Sequence, residues 1–169
     1  MTVLVAAYLA SIVLANLMVA WLGAWSMAAN AFLFIGLDLA VRDGLHDRWR
    51  AMPMGVWPRM AALIAFGSAL TFALCPDAGR VAAGSAAAFA AASAADAVVY
   101  NFLLASGWGW SARSNASNVA GAAVDSVLFC PLALGAVLPL PMMVQFLAKS
   151  LGGFVWALLL GRFAPGGRG

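Results

Sequence analysis

The sequence predicts an all-α integral membrane protein, a single transmembrane domain over residues 1–169 built as a bundle of six transmembrane helices with both termini cytoplasmic. The hydrophobic fraction is 65% and the charged fraction only 9%, whereas soluble domains are about half apolar and a quarter charged. Apolar runs close to the roughly 20 residues that a membrane-crossing helix needs recur along the chain. The strict alternation over about ten residues that marks a transmembrane β-strand is absent.

The apolar runs are separated by charged or turn-forming residues, which set the predicted spans. The first run has no basic segment before it and is too long for the core of a signal peptide, so we expect it to be retained as a helix. Very short connections, around Gly23 to Trp25 and around Leu138 to Pro141, predict that the first two and the last two helices form antiparallel hairpins. The predicted spans are 3–22, 26–41, 60–75, 81–105, 115–137 and 141–162.

The distribution of basic residues predicts the orientation in the membrane. Cytoplasmic loops carry an excess of Lys and Arg, and only Arg80 falls on the side opposite to the other loop arginines. The net charge of +3 is therefore explained by the basic residues that set the membrane topology, and we expect no nucleic-acid partner. The arginines on the predicted cytoplasmic side are Arg42, Arg48, Arg50, Arg59, Arg113, Arg162 and Arg168.

Several polar residues fall inside the predicted spans. Asp96, Asp125 and Lys149 lie near the middle of the fourth, fifth and sixth spans; Asn16 is at similar depth in the first, and Asp38 is nearer the cytoplasmic end of the second. A charge at the bilayer centre costs about 2.5–3.5 kcal/mol even on the lenient insertion scale. These side chains must therefore face the interior of the bundle and be compensated there.

Two interpretations of these buried charges remain open from the residues alone. In the first, Asp125 and Lys149 form a buried ion pair that fixes a helix hairpin, and Asp38 and Arg42 form an interfacial pair. The second is a cavity that meets a polar ligand, because potential carboxylates outnumber the buried cations and amides such as Asn118 share a helix face with Asp125.

A planar heterocycle with adjacent N–H donors, such as a guanine-like edge, would suit a cavity of this composition. Ionised carboxylates only accept hydrogen bonds, and aromatic side chains offer flat apolar walls. A vitamin, an amino acid or a cation would also be compatible. The residues considered for the aromatic walls are Phe34, Tyr100, Phe129 and Trp156.

No cofactor, metal site or catalytic centre is predicted. Asp43, His46 and Asp47 recur at helical spacing, but this is more typical of a solvated helix end than of a metal site. We expect Arg42 at the membrane edge and the chain from Asp43 onward in a cytoplasmic loop. No nucleophile and base pair is evident, so an enzyme is not expected.

Five segments resemble, in order, those of the VUT family of small six-helix bacterial membrane proteins, which are regarded as queuosine precursor transporters. The segments are "LANLMV", "FLFIGLDLAVRD", "AAASAADAVVYNFL", "SNASNVAGAAVDSVLF" and "FLAKSLGGFVWALL". The resemblance implies import of 7-cyano-7-deazaguanine or 7-aminomethyl-7-deazaguanine across the bacterial inner membrane. It also implies functional roles for Asn16, Asp38, Arg42, Asp96, Asn118, Asp125 and Lys149.

The expected partners are the lipid bilayer and a deazapurine substrate; a homo-oligomer and a separate ATPase module remain open. The module belongs to an alternative function, a substrate-binding subunit of a vitamin-type transporter, and a further alternative is a non-transporting structural membrane protein. Arg42 and Arg113 are expected to have structural or gating roles. The expected substrate-binding residues are Asn16, Asp38, Asp96, Asn118, Asp125, Lys149, Phe34, Tyr100 and Trp156.

Overall fold

The computed structural model describes residues 1–50, 52–53 and 55–161, and within them the chain forms six helices and no strand. The all-α prediction is confirmed. The first helix, α1, spans Thr2–Leu22, and the second, α2, covers 27–49. The remaining helices are α3 (Trp57–Leu74), α4 (Gly79–Ala105), α5 (Trp110–Phe129) and α6 (Pro139–Gly161).

Helix α2 is longer than predicted and is interrupted by a π turn. It comprises the helical segments Met27–Asn30 and Gly36–Trp49 with the wider turn Ala31–Ile35 between them. Asn30, just before this turn, donates a hydrogen bond from Nδ2 to the Ala15 carbonyl oxygen at 3.0 Å. The bond ties α2 to α1 across the short hairpin.

The prediction of a cytoplasmic loop from Asp43 onward is wrong. Asp43 is buried within the helix, and its carboxylate accepts a hydrogen bond from the Ser114 hydroxyl of α5. Arg42 is also buried. The helix continues past residue 41 because these polar side chains have partners on neighbouring helices and do not need water.

Helix α5 begins at Trp110, before the predicted span, and leads into a second π turn, Cys130–Leu134. Pro131 lies in this turn, where its missing N–H prevents regular helical hydrogen bonding. The chain then reverses at Gly135, whose φ of 74° is in the left-handed region that glycine tolerates. This short reversal confirms the predicted hairpin of α5 and α6.

Five helices form a ring in the order α1, α2, α6, α5, α4, and α3 packs outside it against α1 and α4. Helix α2 is the most charged and lies between α1 and α6. Arg162 and Arg168, on which part of the orientation prediction depends, lie outside the described residues. Within the described part, the stretches long and apolar enough to cross a membrane are Thr2–Leu22, Trp57–Leu74, Pro76–Ala105, Trp110–Leu134 and Pro139–Leu160.

Helices α2 and α6 cross with their backbones in direct contact. A Cβ atom built on Gly36 would lie 2.6 Å from the carbonyl carbon of Gly152, and one built on Gly152 would overlap the backbone of Phe32. Small residues allow this close approach in membrane helices. The crossing fixes the position of the two helices that carry Asp38 and Lys149.

We expect Gly152→Ala to lower the free energy of unfolding by about 1–3 kcal/mol, the usual cost of overpacking a tight contact. The added methyl group meets backbone atoms of Phe32, which cannot move without shifting α2. Unfolding of the purified protein in detergent micelles measures the change. Gly109→Ala is the matched control, because its Cβ would meet nothing within 4 Å; equal effects of the two substitutions would contradict the expectation.

Candidate functional site

A cavity lies inside the ring of five helices, in the half of the bundle where the hairpins α1–α2 and α5–α6 turn. Its empty volume is about 340 Å³ including solvent at the mouth, and about 20 Å³ admits the centre of a water molecule. That is room for about one water. A bicyclic base would therefore enter only if side chains moved. The wall consists of Ala15, Asn16, Val19, Met27, Asn30, Ala31, Ile35, Ser85, Phe89, Asp125, Phe129, Gln145 and Lys149.

The charged part of the wall is an ion pair between α5 and α6. Lys149 Nζ lies 2.6 Å from Asp125 Oδ2 and donates a hydrogen bond to Gln145 Oε1 at 2.9 Å. The ammonium also lies 5.7 Å from the centre of the Phe129 ring, within cation–π range. Lys149 is only 1% exposed. Each charge is tolerated at this depth because the other is present.

Three buried polar atoms on the wall have no hydrogen-bond partner within the described residues. They are Asp125 Oδ1, Asn30 Oδ1 and Asn16 Nδ2. An unmade hydrogen bond at a buried group costs about 1–3 kcal/mol. Two acceptors and one donor, beside an ammonium group, therefore favour a polar guest in the cavity.

A second polar layer lies further along the bundle axis. Arg42 Nε lies 3.4 Å from Asp96 Oδ2, and Arg42 Nη1 donates a hydrogen bond to Ser93 Oγ at 3.0 Å. Gly121 of α5 leaves the space for this side chain, because a Cβ there would be 2.9 Å from Arg42 Nη2. Asp38 is fully buried, and neither of its oxygens accepts a hydrogen bond within the described residues.

A third layer lies at the end of the bundle opposite the cavity. Arg113 Nη2 is 3.2 Å from Asp47 Oδ2, and the guanidinium carbon of Arg113 is 5.1 Å from the centre of the Tyr100 ring. The His46 ring meets the same tyrosine edge-on at 5.0 Å. This cluster, which we call the rim, joins α2, α4 and α5 at that end of the bundle.

The polar residues singled out in the sequence are divided between these layers. Asn16, Asp125 and Lys149 line the cavity, whereas Asp38, Arg42 and Asp96 belong to the second layer. The predicted pairing of Asp38 with Arg42 is not observed, because Arg42 pairs with Asp96. The predicted pairing of Asp125 with Lys149 is observed.

Asn118 and three of the predicted aromatic residues lie away from the cavity wall. Asn118 is buried beside Gly153 of α6, and its amide has no partner within the described residues. Phe34 lies in a shallow apolar groove on the outer surface of α1 and α2. Trp156 donates its indole N–H to the Leu33 carbonyl oxygen at 3.1 Å, and Tyr100 belongs to the rim.

Phe89 and Phe129 supply the aromatic wall instead. Phe129 was considered in the sequence, but Phe89 and Ser85 of α4 were missed. Both precede Asp96 on one face of α4, since the spacings of four and seven residues keep side chains on the same side of a helix. Extending the helical period back from Asp96 would have found them.

The cluster of Asp43, His46 and Asp47 does not form a metal site. Within the described ranges, no group of three or more His, Cys, Asp or Glu side chains is arranged to hold a metal ion. Asp43 is engaged by Ser114, His46 by Tyr100 and Asp47 by Arg113. These three side chains connect helices to each other.

A protein-family model described as "Putative vitamin uptake transporter" matches residues 2–161. No curated protein and no solved structure matches the sequence significantly. The family match covers all six helices, including every charged residue of the cavity and of the second layer. The chain therefore belongs to the VUT family of membrane transporters.

Proposed function

We propose that this protein imports a 7-deazaguanine precursor of queuosine, the nitrile or the aminomethyl form, across the bacterial inner membrane. The resemblance of five helices to queuosine precursor transporters supports this substrate. The positive-inside rule supports an orientation with both termini in the cytoplasm. In that orientation the cavity lies in the outer half of the bundle and the rim faces the cytoplasm.

The observation that carries the proposal is the Asp125–Lys149 pair on the wall of a cavity inside the bundle, with phenyl rings beside it. A guanine-like edge presents a carbonyl oxygen and two N–H donors in a row. The donors match the carboxylate of Asp125, which has one unpartnered oxygen, and the carbonyl oxygen matches the ammonium of Lys149. Phe89 and Phe129 can pack against the faces of the ring.

Binding would use the remaining unpartnered atoms of the wall. Asn16 Nδ2 and Asn30 Oδ1 provide a donor and an acceptor for the five-membered ring and its substituent. The small accessible volume requires the cavity wall to rearrange before the substrate enters. We infer that the structure is a closed state and that α1–α2 moves relative to α5–α6 during uptake.

Competition by analogues tests this edge-to-edge recognition without altering the protein. The assay measures the uptake of labelled 7-cyano-7-deazaguanine by bacterial cells that cannot synthesise the base and that express this chain. We expect the analogue without the 2-amino group to compete about ten- to a hundredfold less well, because it loses one hydrogen bond to a charged group, worth about 1.5–3 kcal/mol. Cells without the chain measure the background.

The same assay separates the transporter from a purely structural membrane protein. The proposal requires uptake above background and discrimination by the 2-amino group. Uptake equal to background would contradict the transport of this base. Equal competition by both bases would contradict the assignment of Asp125 as the acceptor of the 2-amino group.

A further inference from the structure

Asp38 is a buried carboxyl group that makes no hydrogen bond within the described residues. It lies in the second layer, is 0% exposed, and neither carboxylate oxygen accepts a hydrogen bond within the described residues. A buried ionised carboxylate without a partner is among the most costly groups in a protein interior. A partner outside the chain, or the loss of the charge, must therefore account for Asp38 in this state.

The two buried cations form ion pairs with other aspartates, although Arg42 also attracts the Asp38 carboxylate. Arg42 of α2 is paired with Asp96 of α4, and Asp125 of α5 is paired with Lys149 of α6. Asp96 and Asp125 both lie within electrostatic range of Asp38 and add negative charge, while Tyr8 of α1 contributes a neutral phenol. With Asp43, four buried aspartates therefore stand against two buried Lys or Arg side chains, Arg42 and Lys149, within the described residues.

We propose that Asp38 carries the proton that drives uptake, so that a proton enters the cell together with the substrate. A protonated carboxyl is neutral and removes the charge from the interior. A metal ion would need several oxygen ligands around it, whereas a proton needs one. The inference rests on the proposed transport function and adds its source of energy.

Arg42 supplies the two-state element that couples the proton to a change of conformation. It follows Asp38 by four residues on α2, so both side chains lie on one helix face. In the structure Arg42 pairs with Asp96, and its Nη2 has no partner within the described residues. Once Asp38 loses its proton, the new carboxylate competes with Asp96 for the guanidinium.

The position of Asp38 between the cavity and the rim gives the proton a direction. A proton from water on the outer side is bound by the Asp38 carboxylate in the state described. When the rim opens, the same proton passes to cytoplasmic water and the ionised Asp38 attracts Arg42. Movement of Arg42 away from Asp96 loosens α2 from α4 and returns the bundle to its outward-open state.

Transport by the purified full-length chain in proteoliposomes tests the coupling. The probe is labelled 7-cyano-7-deazaguanine, whose nitrile group is neutral, and the membrane potential is clamped. With the interior more alkaline by about one pH unit, we expect about tenfold accumulation by the unaltered protein, the limit set by a gradient of about 1.4 kcal/mol. For Asp38→Asn we expect no accumulation, but continued exchange of labelled for unlabelled base.

The matched control is Asp77→Asn, the same chemical change at an exposed residue of the α3–α4 connection, and it should accumulate the base normally. Accumulation by Asp38→Asn would overturn the proposal, as would accumulation driven by a sodium gradient and not by pH. If folded Asp38→Asn loses exchange as well, Asp38 is a substrate ligand and the proposal is also wrong.

Infrared spectroscopy tests whether Asp38 is protonated, and it needs no substrate. We expect the unaltered protein at neutral pH to show a C=O stretch of protonated Asp38 that disappears from the difference between the unaltered protein and Asp77→Asn but remains in the difference from Asp38→Asn, where any band of buried Asp43 cancels. An identical spectrum for all three proteins would overturn the assignment. If the unaltered chain fails to exchange the base but shows this band, the proposed substrate is wrong and the proton site of Asp38 stands.

Discussion

Replacing Lys149 with methionine is expected to lower the free energy of unfolding by about 3–5 kcal/mol, the usual cost of removing one partner of a buried ion pair. Methionine preserves most of the volume of the side chain, so the loss of the charge is the main change. Asp125 would keep a negative charge in the interior, with its ammonium partner at 2.6 Å removed. Unfolding of the purified protein in detergent micelles measures the effect.

The double variant Asp125→Asn, Lys149→Met separates stability from binding. Buried ion pairs replaced as a whole often leave stability unchanged or raise it, so we expect the double variant to recover most of the loss. It should still fail to take up the deazaguanine, because both polar contacts of the proposed site are gone. Normal uptake by the double variant would show that the pair only fastens α5 to α6, and Asp77→Asn should be normal in both assays.

The Asp125–Lys149 pair illustrates what could be predicted from the sequence. Both residues lie in the middle of long apolar runs, where their cost forces them to face inward, and the short connection between the runs forces α5 and α6 together. The number of helices and the hairpins follow from the same reasoning about length and hydrophobicity. Partners on adjacent helices of a hairpin can therefore be identified without coordinates.

The partner of Arg42 could not be predicted in the same way. Asp38 is its neighbour along α2, but the observed partner is Asp96 on α4, and this choice depends on how the two helices are rotated about their axes. The π turns at Ala31–Ile35 and Cys130–Leu134 change that rotation. A regular period of 3.6 residues does not describe a helix on both sides of such a turn.

The aromatic residues predicted for the cavity wall differ from those observed there for a related reason. Phe34 lies inside the π turn of α2 and points to the outer surface, although regular spacing places it on the face of Asp38. Asp43 was expected in a solvated loop because it begins a charged run, yet its carboxylate accepts a hydrogen bond from Ser114 of α5 inside the bundle. Sequence patterns indicate which residues need compensation, whereas the helix packing decides which residue supplies it.

The alternative partners of Arg42 lead to the second large effect. We expect Asp96→Asn alone to destabilise the protein by only about 1 kcal/mol, because Asp38 can ionise and take over the guanidinium one helical turn away. Asp38→Asn alone should also cost about 1 kcal/mol, since it replaces a neutral acid by a neutral amide of the same shape. Together they should cost about 3–5 kcal/mol, because Arg42 would be left in the interior without either carboxylate.

The non-additivity of the two substitutions is the decisive quantity, since it measures directly whether both carboxylates serve one arginine. Residues that share a partner show interaction energies of about 0.5–3 kcal/mol, whereas independent sites add within about 0.3–0.5 kcal/mol. Pairing Asp38→Asn with Asp77→Asn gives the additive reference, because Asp77 lies outside the bundle. If the destabilisations by Asp38→Asn and Asp96→Asn also add, Arg42 has a single partner and cannot exchange between two carboxylates. If the double variant is destabilised by much more than the sum of the single variants, the exchange of Arg42 between the two carboxylates is the movable part of the bundle.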